Sequence, residues 1–270
     1  MQLVGQTLNL EIISRWEDIP NFVIIQGDLH TGKTNLVKYI CSMFGYSYVL
    51  VNNSVSSVRE LISVMTPNSK ILYHFKDFDK ASIQAKNALL KVTEETPVGN
   101  KIVITGSAQL STLESRAIKL IMASYTEDEM VKYFSKYYNK DIAVKLFRAG
   151  VDTPAKCEYY KEYEFIEQLL YYVYETYEAL SYISVDKIIV MLKKFEYKYN
   201  GIDPSYLFIE MLINVISYNI KTNLKLKYSY QNVLRLLIEC KESLLHDNTL
   251  NRKLLLYRTF YQIHLLGGEL

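Results

Sequence analysis

The sequence predicts an α/β domain with a mostly parallel sheet over residues 1–125, followed by helical domains to the end of the chain. Three observations support this. Short apolar runs alternate with helical patterns over the first 125 residues, a glycine-spaced loop joins the first run to a helix, and strand signals fade after Thr126.

The elements follow in order. Strand-like runs occupy 22–26 (FVIIQ), 48–51, 71–75, 101–105 and 118–122. Between them, 34–44, 57–65 and 83–93 carry apolar residues at helical spacing. TEDEMVKYFSKYY, from Thr126, opens with a Thr cap and three acids, which suit the positive end of a helix. A helix over 141–148 closes at Gly150, and Pro154 opens another. The stretch 164–195 is long and helical. FEYKYNGIDP (195–204) breaks it, and helical patterns resume over 205–222, 229–246 and 251–266. Domain boundaries are expected at 125/126 and 163/164. The tyrosine-rich run 159–177 is read as packed helix surface, because its aromatics recur at helical spacing; base stacking is the alternative.

Composition narrows the class of protein. Of 270 residues, 49% are hydrophobic and 22% charged, ordinary values for a globular chain with ample core. The net charge of +2 argues neither for nor against a nucleic-acid partner. Three isolated cysteines, Cys41, Cys157 and Cys240, form no CxxC pair, which excludes a zinc ribbon or disulfide framework and suits a reducing cytoplasm. No basic-then-apolar leader opens the chain, and no 18-residue uncharged apolar run suggests a membrane span.

The loop GDLHTGKT carries the chemistry. Gly27, Asp28, Leu29, His30, Thr31, Gly32, Lys33 and Thr34 match G-x-x-x-x-G-K-[ST], with a strand before and an amphipathic helix after. Backbone amides can curl around a phosphate only where side chains do not collide, hence the glycines. The Lys33 ammonium would reach the β and γ oxygens, the Thr34 hydroxyl would ligate Mg²⁺, and the helix start would face the anion. A nucleotide with Mg²⁺ is therefore the expected ligand. His30 reads as a solvent-facing spacer.

Four further segments narrow the reading. Asn87, Ala88, Leu89, Leu90, Lys91, Glu94, Glu95 and Pro97, in NALLKVTEETP, resemble the N-A-L-L-K-x-x-E-E-P-P helix of the clamp-loader branch of AAA+ ATPases. Thr112, Ser115 and Arg116 resemble that family's T-x-x-S-R motif. Val4, Gly5 and Gln6 resemble its N-terminal box beside the adenine, and 244–260 resembles the end of its helical collar. The resemblance implies an AAA+ nucleotide-binding domain (1–125), a helical lid (126–163) and an all-α collar used for oligomerisation (164–270). It implies ATP as the nucleotide, and other clamp-loader subunits, a sliding clamp and primer-template DNA as partners, with no membrane. Arg116 would be a finger acting in trans on a neighbour's ATP, Thr105 a sensor of the γ-phosphate, and Arg148 a second sensor in the lid. A surface ion pair is the plainer role for Arg116, a satisfied strand-end hydroxyl for Thr105, and a helix-end charge for Arg148.

One departure stands out. Aligned on Asn87 without a gap, Lys76 takes the place of the family's metal-supporting Asp, and Asp77 takes that of the water-polarising Glu. With a slip of one, Asp77 becomes the metal-site Asp and Phe78 replaces the Glu; Asp79 is a third possible substitute. Each alignment damages the hydrolytic pair. Such erosion resembles the delta-prime type of subunit, although the cysteine cluster common in that type is absent and the chain is shorter. A hydrolytically active motor subunit and a non-hydrolysing scaffold are the alternatives.

Overall fold

The computed structural model describes residues 4–108, 111–162, 165–180, 186–187, 190, 203–223, 226–246 and 251–266. The chain divides into two compact units, Met1–Glu129 and Met130–Leu270.

The first unit contains α1 (Thr7–Ser14), β1 (Phe22–Gln26), α2 (Lys33–Phe44), β2 (Ser47–Val51), α3 (Val55–Val64), β3 (Ile71–Phe75), a 3₁₀ turn (Phe78–Lys80), α4 (Ile83–Glu95), β4 (Asn100–Gly106), the single turn α5 (Ser111–Glu114) and β5 (Ile118–Ile121). The five strands form one parallel sheet in the order β2-β3-β4-β1-β5. The expected α/β domain is present, and its strands fall within a residue of the expected bounds. Helix α3 starts two residues earlier than its periodicity predicts, because the Ser54 side chain accepts from the Ser57 amide and caps it.

Sheet alternation sorts the core into two layers. Phe22, Ile24, Tyr73, Phe75, Ile102 and Ile104 pack with α3 and α4 residues such as Val58, Leu61, Leu89 and Val92. Val23, Ile25, Leu72 and Val103 pack with Ile13 of α1 and with Leu36, Val37 and Ile40 of α2. Leu89 is fully buried, so the NALLK segment supplies core as well as family likeness. The C-terminal ends of β1, β3 and β4 lie side by side, since Gln26 pairs with Gly106 and Phe75 with Ile104. In open parallel sheets ligands bind at that edge.

The second unit, together with Glu127–Glu129, is helical among the described residues: α6 (Glu127–Phe134), α7 (Lys140–Arg148), α8 (Pro154–Tyr160), α9 (Ile166–Glu178), α10 (Pro204–Thr222), α11 (Leu226–His246) and α12 (Arg252–Leu265). Side-chain caps from Asn139, Thr153, Asp203 and Asn251 fix four of the starts. Parts of the long helical stretch expected over 164–195, and most of the 195–204 break, lie outside the described residues. Tyr171 and Tyr159 are exposed, so the tyrosine run is only partly packed. No helix among the described residues is long and apolar enough to cross a membrane.

Candidate functional site

The loop leaves β1 at Gln26 and turns into α2 at Lys33. His30 and Gly32 both hold left-handed backbone, with φ of 64° and 87°. That geometry is cheap for glycine and unusual for histidine. His30 and Leu29 are exposed, which leaves His30 as a spacer at the tip. Inside the loop, the Thr31 hydroxyl donates to the Asp28 carbonyl at 2.8 Å. The amides of Leu29 through Thr34 donate to no acceptor among the described residues. A run of unclaimed amides ahead of a helix start is an anion cradle. The Thr34 hydroxyl, half-buried at the head of α2, also has no partner among the described residues.

Lys33 is nearly buried and donates from Nζ to the carbonyls of Gly27, at 2.6 Å, and Asp28. Burial pushes its ammonium below the ordinary lysine range; the charges of Asp77, Asp79 and Asp28 pull it back up, and Lys76 pushes it further down. Lys33 therefore feels every group offered as a substitute for the acidic pair, and feels Lys76 with the opposite sign.

The turn after β3 is unusual. Asp77 adopts left-handed backbone, with φ of 53°, and the chain enters the 3₁₀ turn directly. Lys76 is exposed, and its carbonyl accepts from the Asn53 side chain at 2.8 Å. Asp79 is committed to structure. Its Oδ2 accepts from the Ser107 hydroxyl at 3.0 Å and the Ala108 amide at 3.2 Å, tying the exit of β4 to the turn. A Cβ on Gly106 would lie 2.8 Å from Asp79 Oδ1, so this approach needs a glycine there. Burial works to raise the Asp79 pKa, but the hydrogen bonds from this exit win and hold it below the usual value.

Thr105 is fully buried, and its hydroxyl meets His74 Nε2 at 3.0 Å; Tyr48 meets His74 Nδ1 at 2.8 Å. The plainer expectation for Thr105, a satisfied strand-end hydroxyl, describes this geometry. His74 points to the α2 side of the sheet, and burial followed by the charges of Lys76 and Lys38 pushes its pKa down to about 4. The sequence reading passed over His74. Its one signal is a histidine at a core-facing position of an otherwise apolar strand.

The N-terminal box is held to the exit of β5. Gln6 donates to the Ala123 carbonyl at 2.7 Å and accepts from its amide at 3.2 Å. Gly5 has a φ of 64°, and a Cβ there would meet the Glu129 carboxylate at 2.9 Å. Val4 precedes this pair at the start of the described chain.

Arg116, after the turn α5, pairs with Glu94 of α4 at 3.1 Å, both side chains being about half exposed, at 46% and 57%. Such a pair contributes little and is easily exchanged. Arg148 closes α7 in the second unit with its guanidinium 5.1 Å from the centre of the Tyr218 ring. The structure thus gathers Lys33, Asp77, Asp79 and Lys76 about the loop, and gives Thr105 to His74. No cluster of metal-ligating side chains forms among the described residues.

No protein-family model and no curated protein matches the sequence. Solved structures do. A DNA polymerase III, gamma subunit-related protein from Thermotoga maritima aligns over 97% of this chain and all of its own, at 19% identity and a TM-score of 0.48. The Thermotoga maritima RuvB Holliday junction branch migration motor aligns over 79% of this chain and 78% of its own, at 14% identity and a TM-score of 0.50. At that identity the likeness is one of fold alone. The first unit is an α/β domain with a five-stranded parallel sheet and a glycine-spaced loop between β1 and α2, and the likeness to the RuvB structure is a likeness of fold.

Proposed function

We propose that this chain is an ATP-binding subunit of a clamp-loader-type AAA+ assembly, most like the delta-prime type, which turns over its own nucleotide poorly or not at all. The observation that carries this is the pairing of an intact amide cradle with an eroded strand end. The loop offers the free amides of Leu29 through Thr34, Lys33 and an unclaimed Thr34 hydroxyl, while the β3 exit supplies Lys76, whose charge acts on Lys33.

The residues present fit ATP with Mg²⁺. The amides of the loop and Lys33 would hold the β and γ oxygens, exchanging the two loop carbonyls for phosphate. Thr34 would ligate the metal, with Asp77 the candidate for its second-sphere support. Magnesium bound there would supply charge neutralisation on the phosphates. The charge of Lys76, which acts on Lys33, would oppose a metal held there, so binding would survive and hydrolysis would not. Val4 and Gly5 would flank the adenine.

The remaining roles rest on the family resemblance. Arg116 would leave Glu94 and reach a neighbour's γ-phosphate, where an arginine is worth orders of magnitude in rate. Thr105 would sense the γ-phosphate only if its hydroxyl reached out from His74, and Arg148 would act from the lid. Residues 126–163 would form that lid and 164–270 the collar that joins other subunits. The assembly would open a sliding clamp and close it on primer-template DNA, through backbone contacts, in the cytoplasm. An active motor subunit is the second reading, favoured by the charge of Asp77 acting on Lys33.

Calorimetric titration of Mg-ATP into the chain tests the proposal, with Lys33→Ala as control. Binding that vanishes in the variant is expected. Absence of binding to nucleotide-free wild type would make the loop a relic and the scaffold reading correct.

A further inference from the structure

Both glycines of the phosphate loop lie against one segment, the exit of β5. A Cβ on Gly27 would lie 2.6 Å from Cβ of Met122, and a Cβ on Gly32 would lie 3.0 Å from the Tyr125 hydroxyl. The exit is itself fixed: Met122 donates its amide to the Gln26 carbonyl at 2.7 Å, and Ala123 is held by Gln6. From this base the Tyr125 hydroxyl donates to the Thr31 carbonyl at 2.9 Å. Burial, followed by the charge of Glu129, pushes the Tyr125 phenol above its ordinary pKa, so it stays a donor.

This bond fixes the direction of one peptide plane. Every described peptide is trans, and in a trans peptide the C=O and the following N–H point opposite ways. A Thr31 carbonyl drawn to Tyr125 turns the Gly32 N–H away from Tyr125. That amide lies in the unclaimed run of the loop, and Gly32, with φ of 87°, can hold the orientation without strain. We infer that Tyr125 is a positioning residue for the phosphate loop: its hydrogen bond to Thr31 orients the Gly32 amide toward a bound phosphate. The inference rests on the nucleotide-binding reading above and adds a residue that the loop motif does not contain. The contact serves the diphosphate cradle and not the γ-phosphate, so its loss should weaken ATP and ADP alike.

The test is calorimetric titration of Mg-ATP and Mg-ADP into full-length wild type, Tyr125→Phe and Lys33→Ala, with melting of each nucleotide-free protein recorded alongside. Tyr125→Phe keeps the ring and removes only the donor. The expected result is a loss of affinity of about 3- to 10-fold, the same for both nucleotides, the size of one net neutral hydrogen bond. Nucleotide-free melting should stay close to wild type. A merely structural hydroxyl would lower the melting temperature and leave affinity unchanged, and that outcome overturns the inference. Unchanged affinity in Tyr125→Phe together with lost binding in Lys33→Ala rejects the positioning role while keeping the nucleotide reading. No binding to wild type rejects both.

Discussion

Buried His74 makes this fold sensitive to mild acid. Its ring is fully buried between Tyr48 and Thr105, and its pKa falls from an ordinary 6.5 to about 4. The folded state therefore keeps His74 neutral over a range in which the unfolded chain binds a proton. A group with a depressed histidine pKa costs no stability above 6.5, and stability is lost as pH falls from 6.5 toward 4. Between pH 7.5 and 5 this linkage removes about 2 kcal/mol from a total of roughly 5–15 kcal/mol. The charges of Lys76 and Lys38 act on the same ring, and burial pushes the Cys41 thiol up to about 11, above the window. The assay is urea unfolding at several pH values for wild type and His74→Gln, which keeps a polar partner but does not titrate. The variant will be less stable throughout, so the readout is the difference in pH slope. Wild type should lose about 2 kcal/mol more than the variant between pH 7.5 and 5. Parallel slopes would refute the neutral buried histidine.

Four other outcomes follow from the geometry. Gly27→Ala places a Cβ 2.6 Å from that of Met122 and should cost about 1–3 kcal/mol in thermal unfolding as well as weaken nucleotide binding. Gly150→Ala meets both a φ of 91° and the Asn214 side chain at 2.1 Å, and should destabilise the second unit by at least about 1–3 kcal/mol, seen as an early unfolding step. Arg116→Ala breaks a half-exposed ion pair, so stability should change by less than about 1 kcal/mol and ATP affinity of this chain not at all, while ATP turnover in a reconstituted assembly drops. Lys76→Asp replaces the repelling charge with a metal-supporting one and should make ATP binding depend more steeply on Mg²⁺ in the same titration.

Much of the first unit was legible in the sequence, for identifiable reasons. FVIIQ and ILYHF are short apolar runs bounded by polar turns, and GDLHTGKT fixes what lies between a strand and a helix. Helix α1 was missed. In TLNLEIIS the exposed Leu8 and the buried Asn9 reverse the usual pattern, and no side chain caps the start, so neither periodicity nor capping marks it. Asn9 is buried because it donates to the Ile121 carbonyl and to the Gln6 side chain, a tertiary contact across more than 100 residues in the first case. The same holds at the site. Tyr48, His74 and Thr105 come from three strands, and Tyr125 reaches Thr31 from 94 residues away, so no local spacing could join them. Asp79 could be named as a spare carboxylate, but its commitment to Ser107 and Ala108 appears only once β4 lies beside β3.

In the proposed function the loop holds ATP while the strand end beside it fails to cleave it. The most direct measurement is to load the nucleotide-free chain with radiolabelled ATP and Mg²⁺, incubate for many minutes, and chromatograph the nucleotide that stays bound. Intact ATP recovered from wild type, and none from Lys33→Ala, is the result predicted. ADP accumulating on wild type but not on a Lys33→Ala control would contradict it, and would show that Asp77 restores a working pair despite Lys76.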